Sequence, residues 1–127
     1  MNFFGSSLIF FMENELPKAD SLEEIAYNRG FREIFLIEGD SMLPTLRDGD
    51  LVLINPHAEY AVGDIVLAAH PFKKSVKIIK RIVEILPNEK YFLVGDNATE
   101  STDSRTFGAI LLKNIIGKVV CRIDEKK

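Results

Sequence analysis

Residues 76–86 read VKIIKRIVEIL, and this run of mostly Val and Ile decides the class of fold. Branched apolar side chains at this density favour an extended strand. Turn-forming residues bound most of the similar runs elsewhere in the chain. No helix alternates with these runs, as a parallel sheet would require. The sequence therefore predicts a mainly β, compact antiparallel domain, with further strands over 33–38, 50–54, 65–69, 91–94 and 118–123.

The first 30 residues have a different character. Residues 1–12, MNFFGSSLIFFM, are apolar but too short to span a bilayer, and they lack the basic start and cleavage site of a secretory signal. They are interpreted either as an arm packed on the domain or as a segment that contacts a membrane surface or a partner. A polar linker follows over 13–20. We divide the chain into 1–30, comprising arm, linker and a short helix, and a main domain over 31–127.

Two helical segments are indicated by local signals. Ser21 followed by Glu24 is a capping-box pattern, and Gly30 suits the end of a helix, which predicts a helix over 21–29. Residues 111–116 are predicted to form one more helical turn.

Composition excludes several classes of protein. The 127 residues carry 16 basic and 19 acidic side chains, a net charge of −3, which argues against a nucleic-acid binder. The single Cys121 permits no intrachain disulfide, and a place in an apolar strand favours a core role for it. His57 and His70 lie in loops without other unusual polar residues and are interpreted as surface residues. We expect no metal site and no cofactor.

A polar segment, GDSMLPTL over 39–46, follows the strand predicted over 33–38. Gly39 permits a turn that a Cβ would obstruct, and Pro44 prevents an immediate return to helix. Ser41 is therefore expected on a tight turn, with its hydroxyl and its own N–H available. Taken alone, a serine in such a place is usually only a turn residue.

Two adjacent cations interrupt the apolar run 76–86. Side chains alternate along a strand, so Lys80 and Arg81 lie on opposite faces, both largely apolar. Burial lowers a lysine's pKa, and a fall from about 10.4 to about 8 raises the neutral fraction at pH 7 from about 0.04% to about 10%. Arginine stays protonated, so only Lys80 can act as a base. The alternative is that Lys80 extends its amine to solvent.

The third polar segment spans 95–108. In it Asp103 and Arg105 are placed to pair with each other or brace the loop, and Ser101 is placed to hydrogen-bond the lysine and orient it. A solvated hairpin loop is the alternative interpretation.

In order along the chain, these segments resemble the type I signal peptidase family of Ser/Lys proteases. The resemblance runs from about residue 33 to 121 and implies that family's β fold and a serine endopeptidase activity. It implies that Ser41 attacks the scissile carbonyl, that Lys80 is the general base, and that the Ser41 N–H holds the oxyanion. The matching segments are 39–46, 49–50, 62–66, 80–81, 95–97, 101, 103–105 and 108.

The same resemblance implies supporting roles. Ser101 matches the residue that orients the lysine, and Asp103 with Arg105 matches a structural ion pair. Gly39 stands where some relatives carry a serine whose hydroxyl is a second oxyanion donor. Met42 and Pro44 fall at positions for substrate binding. Met42 also falls where relatives contact the membrane.

Some positions depart from signal peptidases. EILPN at 84–88 replaces their Gly-x-Pro-Gly-Asp, and Ala-Thr-Glu at 98–100 follows Gly-Asp-Asn where they carry Arg-Asp. The chain resembles more closely the nickel-type superoxide dismutase maturation proteases, which remove a short N-terminal extension from the dismutase precursor. This implies a precursor protein as substrate and a cytoplasmic location. The segments of closer resemblance are 70–72, 77–81, 91–97 and 100–108.

Three alternatives remain at this stage. A general signal peptidase would cleave secretory signal peptides at a membrane reached through residues 1–12. A non-catalytic binding module would keep the fold without the chemistry. A self-cleaving repressor is disfavoured because no Ala-Gly or Cys-Gly dipeptide precedes Ser41.

Overall fold

The computed structural model describes residues 16–123, in which the six predicted strands and a short unpredicted one form one antiparallel sheet of seven strands. The sheet order is β1-β2-β7-β3-β4-β5-β6. All neighbours run antiparallel, which confirms the predicted fold class. The strands are β1 Glu33–Leu36, β2 Leu51–Asn55, β3 Ile65–Ala69, β4 Lys77–Leu86, β5 Lys90–Val94, β6 Ile110–Leu111 and β7 Ile115–Ile123.

A short helix, α1 (Ser21–Asn28), precedes the sheet as predicted. Its cap lies one residue earlier than expected, because the Asp20 carboxylate, and not Ser21, accepts the Glu23 N–H at 3.0 Å. Gly30, with φ of +86°, ends it in the left-handed conformation that a glycine adopts without cost. The predicted arm, residues 1–12, lies outside the described residues.

Short helical segments fill the connections near the C-terminal strands. The helical turn predicted over 111–116 is a 3-10 turn, Leu112–Asn114, and the residues on either side belong to β6 and β7. The loop predicted over 95–108 contains a 3-10 turn, Ala98–Glu100, and a four-residue helix, α2 (Ser104–Phe107). Sequence reasoning missed both, since neither is long enough to show a periodic pattern.

The core consists of two apolar clusters built mainly from alternate residues of the strands. One cluster joins β2, β3, β4 and β7 to the segment that follows β1, and the other joins β3 to β4, β5, β6 and β7. The first contains Ile37, Met42, Leu46, Val52, Ile54, Ile65, Leu67, Ile79 and Val119. The second contains Val66, Ala68, Ile82, Leu93, Ile110 and Ile115.

Strand β4 carries a bulge that sequence alternation did not predict. Ile82 pairs with Leu93, but the next pair is Glu84 with Phe92, so Val83 is an extra residue. A bulge shifts the alternation of faces. Val83 and Ile85, expected on a largely apolar face, are both exposed.

The unpaired strand edges within residues 16–123 include that of β1 and part of β4. β1 bonds to β2 alone. The first five residues of β4 pair with β3 on one side. On the opposite side, β4 pairs with β5 only from Arg81 onward. The first half of β4 therefore presents one free edge, and β1 presents another.

No helix of the described region has the length and apolar character needed to cross a bilayer.

Candidate active site

The side chains of Ser41 and Lys80 meet in the wall of a cleft. Lys80 Nζ lies 2.9 Å from Ser41 Oγ, and the lysine is only 5% exposed. The structure therefore brings together the two residues predicted to be catalytic. The serine comes from the turn after β1 and the lysine from the middle of β4, 39 positions later.

Burial lowers the pKa of Lys80 below its ordinary value. Attraction to the Asp103 carboxylate opposes this effect, and repulsion from the Arg105 guanidinium adds to it. Burial has the largest influence, so the folded protein favours the neutral amine more than water does. The extended, solvated lysine that the sequence left open is not found.

The turn that carries Ser41 is fixed from its first residue. Gly39 has φ of +83°, where a side chain is strained, and its N–H donates to Asp48 Oδ1 at 2.7 Å. With no side chain and its N–H engaged, Gly39 offers no second oxyanion donor. The Ser41 N–H, by contrast, has no acceptor anywhere in residues 16–123, so it is free to bind a ligand.

Arg81, the neighbouring cation, is held by a carboxylate. Its Nε and Nη2 donate to the two oxygens of Asp96 at 2.8 and 2.7 Å, and its Nη1 donates to the Gly63 carbonyl at 2.7 Å. Thr45 Oγ1 also donates to Asp96, at 2.6 Å, which links this pair to the Ser41 turn. Sequence analysis assigned no role to Asp96 or Thr45, because their pairing crosses distant segments of the chain.

Asp103 is fully buried beside the lysine and accepts several hydrogen bonds. Arg105 donates from Nε and Nη2, each at 2.9 Å, so the predicted ion pair is present. The Gly95 N–H donates at 2.9 Å. Burial alone would raise the pKa of Asp103, but these bonds, led by Arg105 and Ser101, hold it well below its usual range. Asp103 therefore stays ionised.

Ser101 differs from expectation. We expected its hydroxyl to hydrogen-bond Lys80, but Ser101 Oγ donates to Asp103 Oδ2 at 2.6 Å. A charged carboxylate is a stronger acceptor than an amine already facing another hydroxyl. Ser101 instead packs against Gly95. A Cβ added to Gly95 would lie 2.6 Å from the Ser41 carbonyl oxygen and closer still to the Ser101 hydroxyl.

The two residues expected to bind substrate differ in position. Met42 is 2% exposed and belongs to the core, so its side chain has no surface that could contact a membrane. Met42 can contact a substrate only where it forms part of the cleft wall. Its burial follows from the turn, which points Met42 inward as Ser41 points to the lysine. Pro44 is exposed and is not among the described residues that line the cleft.

The cleft itself has a volume of about 170 Å³ and is lined in part by the Ser–Lys pair. One wall is β1 with the residues that follow it, and the other is the first half of β4. Both walls are strand edges without a partner in the described chain. The lining residues are Phe35, Leu36, Ile37, Glu38, Ser41, Met42, Lys77, Ile78, Ile79 and Lys80.

The other side chains considered as reactive groups are His57, His70 and Cys121. His57 is exposed, as expected. His70 is half-buried, contrary to expectation, because its ring packs on Phe107 with centroids 4.9 Å apart and its Nδ1 accepts two backbone N–H groups. Cys121 is buried, and burial raises the pKa of its thiol to about 11.

Comparison with known proteins identifies the family of the chain. A family model described as Peptidase S24-like matches residues 9–120. Mitochondrial inner membrane protease subunit 1 of Xenopus tropicalis is 30% identical over 114 residues, covering 72% of this chain and 68% of the relative. The same subunit of Schizosaccharomyces pombe is also 30% identical, with 72% and 73% coverage. Signal peptidase I of Buchnera aphidicola is 56% identical over 36 residues, 28% of this chain and 12% of the relative. Because the family model spans most of the sequence, the chain belongs to the Peptidase S24-like family of peptidases.

Proposed function

We propose that this chain is a serine endopeptidase in which Ser41 and Lys80 remove a short N-terminal extension from a precursor protein. The observation that carries the proposal is the 2.9 Å contact between Lys80 Nζ and Ser41 Oγ, with the lysine buried in the wall of a cleft. An alcohol becomes a nucleophile when a neighbouring base accepts its proton. A lysine whose pKa is lowered by burial is such a base.

The acylation step follows from this contact. The neutral Lys80 amine takes the Ser41 hydroxyl proton as Ser41 Oγ adds to the scissile carbonyl carbon. The carbonyl oxygen becomes an oxyanion, and the unpaired Ser41 N–H donates to it. When the C–N bond breaks, the Lys80 ammonium returns the proton to the leaving amine, and an acyl-enzyme remains on Ser41.

Deacylation repeats the same chemistry with water. Lys80, neutral again, takes a proton from a water molecule whose oxygen adds to the acyl carbon. The ammonium then protonates Ser41 Oγ as the ester bond breaks, which releases the carboxylic acid product and restores the pair.

The walls of the cleft favour an extended peptide as substrate. β1 and the first half of β4 each present unpaired backbone groups toward the cleft within the described chain. A peptide in extended conformation satisfies such groups by adding a strand. An N-terminal extension of a precursor, free of its own secondary structure, can enter in this way.

Two precursors are candidates for the substrate. Sequence resemblance favours the precursor of a nickel-type superoxide dismutase. The relatives named above are instead mitochondrial inner membrane protease subunits and a signal peptidase. Their names favour, as the second candidate, a precursor presented at a membrane, which residues 1–12 would help to reach. A cytoplasmic location accompanies the first candidate and a membrane association the second.

The test is cleavage of both precursors by the purified full chain, with new N-termini identified by mass spectrometry. Ser41→Ala and Lys80→Met are each expected to lower the rate at least about 10³-fold while the chain remains folded. Lys113→Met, the same change at an exposed site, is the matched control. Normal turnover by Lys80→Met would refute the Ser/Lys mechanism.

Two results separate the remaining alternatives. Cleavage of the dismutase precursor without lipid favours the first candidate, and cleavage of a signal-peptide precursor only with vesicles favours the second. Specific binding of a precursor that is never cut would favour a non-catalytic binding module.

A further inference from the structure

Asn97 hydrogen-bonds both peptide units that flank Ser41. Its side-chain Nδ2 donates to the Asp40 carbonyl oxygen at 3.0 Å, and its backbone N–H donates to the Ser41 carbonyl oxygen at 2.8 Å. The φ and ψ angles of Ser41 are rotations of these two rigid peptide units. By holding both carbonyls, Asn97 fixes the backbone of Ser41, and the loop after β5 is tied to the turn after β1.

The first of these bonds also determines the direction of the Ser41 N–H. The Asp40 carbonyl and the Ser41 N–H belong to one planar trans peptide unit, in which C=O and N–H point in opposite directions. Anchoring the oxygen therefore aims the N–H. The Asp40 oxygen also accepts the Leu43 N–H, at 3.2 Å, so two donors polarise this peptide unit. Hydrogen bonds in a chain strengthen one another, which makes the N–H a better donor.

The Ser41 N–H is the main donor that this turn offers to an oxyanion, because Gly39 supplies no second one. Gly39 has no side chain, and its N–H is engaged by Asp48 at 2.7 Å. The Ser41 N–H has no acceptor among residues 16–123. A donor that is pre-aimed where charge develops stabilises the transition state more than the substrate.

We propose that Asn97 is a positioning residue that aims and polarises the Ser41 N–H toward the oxyanion of acyl transfer. The inference rests on the proposed function, because the oxyanion forms only when Ser41 Oγ adds to a carbonyl. Asn97 acts through the Asp40–Ser41 peptide unit and not by touching the reacting atoms. Sequence analysis assigned it no role.

Asn97→Ala is the direct test, since it removes Nδ2 but keeps the backbone N–H that bonds the Ser41 carbonyl. For a precursor peptide that the unmodified chain cleaves, kcat is expected to fall about 10- to 100-fold while KM changes less than about twofold. Asn114→Ala, the same change in the 3-10 turn before β7, is the matched control and should keep normal kinetics.

Two further readouts separate positioning from a general structural role. A peptide aldehyde forms a tetrahedral adduct with an oxyanion, so Asn97→Ala should weaken it by the same factor as kcat. The cleaved product peptide, which lacks that oxyanion, should bind normally. The acid limb of the pH–rate profile should not move, because the groups around Lys80 are unchanged.

Normal kcat in Asn97→Ala, or equal weakening of aldehyde and product peptide, would overturn the inference while leaving the proposed function intact. If the unmodified chain cleaves no precursor at all, the proposed function fails and this inference fails with it.

Discussion

Replacing Asp103 by asparagine isolates the role of the buried carboxylate. Oδ1 accepts the Arg105 N–H and Nε, at 3.1 and 2.9 Å, while Oδ2 accepts from Gly95, Ser101 and Arg105 Nη2. The amide nitrogen that Asp103→Asn introduces must replace one of these oxygens. The less costly choice is the Oδ1 position, where two donors are left facing a donor.

The magnitude follows from this count. A buried donor left unsatisfied costs about 1–3 kcal/mol. The Arg105 side chain is 42% exposed, so water partly satisfies its Nε. Asp103→Asn is therefore expected to lower the free energy of unfolding by about 2–4 kcal/mol, a large share of the roughly 5–15 kcal/mol that a domain possesses.

Urea unfolding of the full chain measures this change, with the exposed Glu84→Gln as the matched carboxylate-to-amide control. The control should stay within about 0.5 kcal/mol of the unmodified chain. A second readout comes from Lys80, because attraction to Asp103 raises the pKa of that lysine. Removing the charge should lower the pKa further and move the acid limb of the pH–rate profile to lower pH. A loss below about 1 kcal/mol, or a limb displaced to higher pH, would refute this reasoning.

Three other predictions concern single side chains. Lys80→Met should raise the free energy of unfolding, because the folded state lowers the pKa of Lys80 and so disfavours its ammonium form. This gain should have its full size at pH values below the pKa of Lys80 in the folded chain, and it should shrink as the pH rises toward 10.5. A gain that grows with pH would contradict this sign. Gly95→Ala should abolish cleavage and cost about 1–3 kcal/mol in a urea titration, since its Cβ would lie 2.6 Å from the Ser41 carbonyl oxygen; near-normal turnover would show that the turn can shift. Cys121, buried with a raised thiol pKa, should resist iodoacetamide in the folded chain and react after unfolding, and fast native alkylation would contradict its burial.

The strands were accessible to sequence reasoning because their signals are local, whereas Ser41 and Lys80 were assigned through the ordered resemblance of several segments to a protease family. The run at 76–86 predicts an extended segment, and the observed β4 differs from it by one residue. A serine in a turn after Gly39 and a lysine in an apolar strand were each weak signals alone, and they gained weight only together with the segment over 95–108.

The features that sequence reasoning missed depend on contacts between distant segments. Nothing in the alternation of β4 distinguishes Lys80 from Arg81; the partner of each side chain does, and the carboxylate of Asp96 lies 15 positions from the arginine. The Val83 bulge is set by pairing with β5. Ser101 was assigned to the lysine because the buried charge of Asp103, which attracts its hydroxyl, becomes apparent only once the loop is folded.

The most direct test of the central claim is the titration of the Lys80 side chain by NMR, set beside the pH dependence of kcat/KM for a cleaved precursor. Lys80 Nζ is expected to lose its proton below the ordinary lysine value of 10.5, and the acid limb of the rate profile is expected to have the same midpoint. An amine that titrates at or above 10.5, or a rate profile that does not follow its titration, would refute the role of Lys80 as the general base.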